Sequence, residues 1–329
     1  MKIADTGHTL LELLIALSLG IFILTSSFSF YQSVKSKQQR QAAFGIAREN
    51  AKFAFDLIKA DIQLAGFYGC ITPMVKQRIV NSLNPPHDHF KWDFLSPIAA
   101  NQYSGNSWTP ALDSSLANSD IYQADILTLR YADRREFSLD SHSSSQAALK
   151  TSQKNNLRQY DYALVSDCAK GSIFQKTNSS NSKTIQHTTE PIPSKYAGNA
   201  SADLVYQYSA LAKVRRLYSI SYFLAKKTGR IPALYRKDGA RRAEEVISGI
   251  SDMQLSFGLD RNADGKVDAY SEQISTASDA QAVVLVNLSI TAKAFKNTIK
   301  TGTEVLLYQD GSEISYQLNA SIALRNHLP

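Results

Sequence analysis

The sequence predicts an α+β chain in which a long N-terminal α-helix packs on an antiparallel β-sheet domain with long polar loops. Three observations predict it. Between Thr9 and Tyr31 the only charged side chain is Glu12. Beyond Tyr31, apolar residues recur at helical spacing. From about residue 125 onward, short runs rich in β-branched and aromatic residues alternate with polar ones.

The first stretch is long enough to be a membrane anchor. Its 23 positions, at a rise of 1.5 Å each, make a helix of about 35 Å, which crosses a bilayer. A secretory signal peptide would show a shorter apolar core and an Ala-x-Ala-like site. Here Asp5 cancels Lys2, Glu12 interrupts the run, and Thr25-Ser26-Ser27 is a poor cleavage match. Lys35, Lys37 and Arg40 follow the run, so orientation does not rest on charge alone. A carboxylate at membrane depth is costly unless paired or protonated. No basic residue stands at three or four positions beyond Glu12, so its partner is expected from elsewhere, and a new α-amino group made by cleavage nearby would serve.

The second half of the helix is amphipathic. Phe44, Ala47, Ala51, Ala54, Ile58, Ile62 and Ala65 follow steps of three and four, with Arg48, Lys52, Lys59 and Asp61 on other faces. Gly66 and Gly69 supply the stop. The chain thus divides into a segment 8–31 for the membrane, 32–65 for the amphipathic continuation, and 66–329 for the globular domain. Strands are expected over 125–132, 162–166, 214–224, 253–259, 282–294, 303–309 and 314–323. Segments 81–119, 138–156 and 176–201 are Ser/Asn-rich and read as surface loops decorating the sheet.

Composition narrows the chemistry. Lys plus Arg outnumber Asp plus Glu by 36 to 29, but the basic residues are scattered as pairs such as Arg134-Arg135, Arg215-Arg216, Lys226-Lys227 and Arg241-Arg242. Such pairs suit a solvated surface, and also a salt-sensitive contact with a DNA backbone. GxSxG, HExxH, P-loop and dinucleotide-binding motifs are absent, so no catalytic residue is assigned. Cys70 and Cys168 are the two cysteines and lie in no zinc-type cluster. In an exported chain they are expected to form one disulfide, closing a loop of about 100 residues worth roughly 4 to 5 kcal/mol on the chain-entropy account; the alternative is two separately buried thiols.

One motif points to a metal. Asp260, Asn262, Asp264 and Asp268, with the Lys266 backbone carbonyl and Gly265 at the turn, reproduce most of a Ca2+ loop. Position 12 is Ser271, with Glu272 one place late, and the other reading is a solvated turn. His87 and His89, flanking Asp88, share one face of an extended segment but have no third histidine nearby. His142, His187 and His327 lie in polar segments and read as surface residues.

The run Gly7-His8-Thr9-Leu10-Leu11-Glu12-Leu13 resembles the class III leader of type IV prepilins and pseudopilins. The resemblance implies a pilin-like fold. It also implies removal of leader 1–7 by a prepilin peptidase cutting between Gly7 and His8, methylation of the new N-terminus, and a glutamate, Glu12, that pairs with a neighbouring subunit's amine. His8 departs from the family's usual phenylalanine. Downstream, Ala47-Arg48-Glu49-Asn50, Ala65-Gly66-Phe67-Tyr68-Gly69-Cys70, Val165-Ser166-Asp167-Cys168, Pro232-Ala233-Leu234-Tyr235-Arg236, the stretch 244–270 and Ile322-Ala323-Leu324-Arg325-Asn326 resemble the PilW group of minor pilins. That group implies a non-catalytic subunit, held by a single pass in the inner membrane with a periplasmic domain before it enters the fibre at the cell surface. It is expected to prime assembly at or near the tip, with other minor pilins, the major pilin, a tip adhesin and the inner-membrane assembly platform as partners. Adhesion, twitching motility or DNA uptake would follow. The J-type pseudopilin of type II secretion, with the same leader and fold, and a DNA- or surface-binding tip module are the alternatives.

Overall fold

A computed structural model describes residues 10–71, 78–84, 92–117, 120–179, 182–227, 230–295 and 313–326. The expected strand 303–309, the leader, Gly7, His8, His87, Asp88, His89 and His327 lie outside these residues.

Helix α1 runs unbroken over Leu10–Ile62, 53 residues. Its exit is set by Gly66 and Gly69, both at positive φ. At Gly69 a Cβ would stand 2.6 Å from Nε of Arg215, so a side chain there meets both strain and a clash.

The domain is built on a larger sheet and a smaller one. The strands in chain order are β1 (Ile79–Asn81), β2 (Ile98–Ser104), β3 (Ser107–Thr109), β4 (Ile126–Ser141), β5 (Leu149–Thr151), β6 (Tyr162–Ser166), β7 (Gly171–Gln175), β8 (Thr184–Ile185), β9 (Lys213–Ala225), β10 (Ala233–Asp238), β11 (Glu244–Ser248), β12 (Ile250–Leu259), β13 (Ala269–Ser271), β14 (Val283–Lys293) and β15 (Ser315–Ala323). Two short helices, α2 (Ser114–Ala117) and α3 (Ala277–Ala282), lie between them. The larger sheet has the order β1-β7-β6-β9-β4-β2-β3, with β10 and β11 branching from β9 and β5 and β8 from β4. Its pairs are antiparallel except β1 with β7. The smaller, antiparallel sheet runs β13-β12-β14-β15.

One core joins all three layers. Ala47, Ala51, Ala54, Ile58 and Ile62 of α1 pack against Leu127 and Leu129 of β4, Ile220 and Leu224 of β9, and Met253, Phe257, Val286 and Ile290 of the smaller sheet. The alanines are almost fully buried, and their small size lets the helix backbone lie close to the strands.

The polar segments do more than decorate. Segment 81–119 holds β2, β3 and α2, and 138–156 holds β5. Leu83, Trp92 and Phe94 cover one face of β6 and β7, while Ile185, Leu204 and Tyr208 cover the other. Widely spaced anchors suffice because the Ser and Asn residues between them satisfy the backbone locally. The expected strand 282–294 starts one residue later, since Ala282 closes α3.

Candidate functional site

Helix α1 meets two different environments. From Leu10 to Tyr31 every large apolar side chain is more than half exposed, Leu10 reaching 78% and Phe30 73%. This half alone is apolar and long enough to cross a membrane, and Glu12 is exposed in its first turn. From Ala43 onward one face is buried in the domain, while Ile46 and Phe53, two turns apart, stay 59% and 52% exposed on the opposite face.

The helix is fastened near its end by Asp61. The sequence pattern set this residue with the charged faces; the structure corrects that, since Asp61 is only 8% exposed. Its carboxylate accepts hydrogen bonds from the hydroxyls of Tyr131 (2.8 Å) and Tyr222 (2.6 Å), and Nη2 of Arg236 lies 3.2 Å away. Burial, and then the Asp61 charge, raise both tyrosines well above their ordinary range, which keeps them as donors. Asp61 lies three residues beyond Ile58 and seven beyond Ala54, on the same stripe, and that spacing was the signal for it.

The basic pairs are divided. Arg215 pairs with Glu136, and Arg216 bridges Asp238 (2.6 Å) and Asp161 (3.3 Å). Arg241 joins Asp161 at 2.5 Å. Three of the arginines available for a nucleic-acid backbone are thus tied into the domain.

Cys70 and Cys168 form a disulfide, which staples the exit of α1 to the turn between β6 and β7. His142 and His187 are not surface residues. They are 4% and 2% exposed, with ring centroids 6.4 Å apart, and Phe174 and Tyr208 pack on them. Nδ1 of His142 accepts from the Tyr208 amide, Nε2 of His187 donates to the Ala147 carbonyl, and burial lowers both pKa values. The aromatic anchors belong to other segments, Phe174 to β7 and Tyr208 to the approach to β9, so a polar local context concealed the burial.

The 260–268 turn joins β12 to β13 and is knotted by its own acids. Asp260 accepts from the amides of Asp264 (3.2 Å) and Gly265 (2.7 Å), Asn262 from Asp264, Asp264 from Lys266, and Asp268 from Arg261. Glu272 faces β2, where Gln102 donates to it at 3.3 Å. Among the described residues no group of three His, Cys, Asp or Glu side chains is placed to hold a metal. The oxygen donors suit a Ca2+ loop in type, while its closing acid is directed elsewhere.

No curated protein and no solved structure matches the chain. A family model does match, that of PilW, the type IV pilus-assembly protein W, over residues 221–322. The stretch from Tyr222 and Arg236 through the smaller sheet is therefore similar to PilW, and that similarity supports a part for the chain in type IV pilus assembly.

Proposed function

We propose that this chain is a minor pilin that primes assembly of a type IV pilus and resides at or near its tip. One observation carries the reading: a single helix has an exposed apolar half continuous with a half locked into a PilW-like domain. Removing the large side chains of 10–31 from water contributes about 1.5 kcal/mol or more apiece, and close packing then holds them among neighbouring helices. Ile46 and Phe53 extend that contact surface beyond the membrane. Glu12 pairs with the N-terminal amine of a neighbouring subunit once a prepilin peptidase has cut between Gly7 and His8 and methylated His8. The disulfide fits a periplasmic domain. Other minor pilins, the major pilin, a tip adhesin and the assembly platform are its partners in this reading.

The test is a pair of variants in the host. Gly7→Val should leave an unprocessed N-terminus by mass spectrometry, and Glu12→Ala should be processed yet lose at least tenfold in incorporation into sheared pili. Normal incorporation of Glu12→Ala would refute the pairing. Rescue of a secretion defect rather than a piliation defect would assign the chain to a type II pseudopilus.

The 260–268 turn is proposed to bind Ca2+ weakly in a structural role, through Asp260, Asn262, Asp264, Asp268 and the Lys266 carbonyl. At a calcium concentration ten times Kd the protein gains about 1.4 kcal/mol, a rise of roughly 3 °C in Tm for a domain of this size. The same rise in Asp264→Ala, or none in the parent, rejects the site.

A further inference from the structure

The outer face of the smaller sheet is a floor of amides and hydroxyls. Ser256 of β12 stands opposite Asn287 of β14, which stands opposite Ser321 of β15. In the next row Gln254, Ser289 and Asn319 align the same way. The inner-facing residues between them, Leu255 and Leu288, are buried beneath. Side-chain hydrogen bonds hold the floor in place: Asn287 Nδ2 donates to Ser256 Oγ (3.0 Å), Ser321 Oγ to Asn287 Oδ1 (2.6 Å) and Gln317 Nε2 to Ser289 Oγ (2.9 Å). Each amide still carries a second N–H and a second lone pair for a ligand.

A wall rises along one side. Gln102 and Tyr103 of β2 line it, and the Tyr103 ring packs on Trp108 of β3 with centroids 4.8 Å apart. Asp125 ties wall to floor by accepting from the Tyr103 and Leu255 amides, at 2.9 and 2.8 Å. Burial holds its carboxyl above the usual carboxylate range. Wall and floor enclose an open groove of about 670 Å³.

We propose that this groove binds a neutral glycan chain. Among the described residues the only charged groups lining it are Asp125 and Glu272, both acidic, in a protein whose formal charge is +7. Nucleic acids and sulfated polymers are therefore disfavoured here although they suit the protein's overall charge. A protein partner would seek aromatic or aliphatic anchors at the centre of its interface, and among the residues lining the groove no large apolar side chain is exposed. A polyhydroxylated chain matches the site on both counts. Its hydroxyls meet two rows of oriented amides and hydroxyls, and its C–H faces pack on the aromatic wall. The inference stands on the groove alone and is independent of whether the chain enters a pilus.

The test uses the full chain in lipid nanodiscs, free of glycoside detergent, with maltohexaose and chitohexaose as neutral probes and a heparin hexasaccharide as the anionic comparator. Titration calorimetry should show saturable binding of at least one neutral probe and at least tenfold weaker binding of the heparin fragment. Asn319→Glu and Gln254→Glu, both at exposed positions, should each weaken neutral binding at least tenfold while Tm stays unchanged. Absence of binding by both neutral probes up to about 10 mM, equal binding of heparin, or binding untouched by both substitutions overturns the proposal. Binding of an Asn/Ser-rich peptide in place of either sugar would overturn it equally, and would assign the face to protein docking.

Discussion

Two of the four acids of helix α1 stand in opposite circumstances. Glu12 stands on the exposed apolar half, and Asp61 is buried where the helix ends on the sheet. The fold needs Asp61, because two tyrosine hydroxyls and one guanidinium converge on it. Glu12 lies outside the core, and in the proposed function its consequence belongs to association. A charge on a helix is thus decoded by what surrounds it, and under the proposed function one continuous element serves stability at one end and recruitment at the other.

The largest effect expected from this contrast is on Asp61. Asp61→Ala strands Tyr131, Tyr222 and Arg236 and should lower stability by about 3 kcal/mol in urea unfolding. Glu12→Ala measured alongside should change it by less than about 0.5 kcal/mol. Equal losses from the two would break the comparison.

The next effect concerns pH. His142 and His187 are held neutral, with folded pKa values below the ordinary value of about 6.5, so the unfolded chain takes up protons first. Stability is fully present above about pH 6.5 and declines as pH falls toward the folded values, by up to about 1.4 kcal/mol per pH unit for each ring. The groups facing the pair are Tyr208 and the acid Asp203, whose charge offsets part of this decline. The double variant His142→Gln, His187→Gln should flatten the profile between pH 7 and 5, and an unaltered slope would place the acid sensitivity elsewhere.

The smallest expected effect is on the outer face of α1. Ile46→Ser with Phe53→Ser should leave urea unfolding within about 0.5 kcal/mol of the parent, yet reduce incorporation into pili. A stability loss of several kcal/mol would mean that this face is covered within the molecule.

Much of this architecture is legible in the sequence where a local rule governs it. The helix and its glycine exit follow from periodicity and from positive φ at Gly66 and Gly69. Strand β6 falls at 162–166 as expected, and β15 within a residue of its expected start, because alternation is a property of the strand itself. The short strands β1, β5 and β8 are not legible, since two or three residues become a strand only when a distant partner supplies the hydrogen bonds. His142 and His187 escaped because their partners come from other segments, up to 66 residues away, and the partners of Asp61 lie 70 to 175 residues away. The amide floor needs the register of three strands, which no single segment encodes.

The disulfide at the exit of α1 has a mechanical side. Tension drawn along the helix reaches the domain at residues 66–70, where the chain turns through two glycines and is held between them by the buried Tyr68, whose hydroxyl donates to the Phe94 carbonyl. Cys70 passes that tension across a covalent bond to Cys168, beside strands β6 and β7, which are buried on both faces. The load therefore enters the domain through the Asp61 anchor, through Tyr68 and through the staple, and is shared across the sheet instead of peeling one strand from its edge.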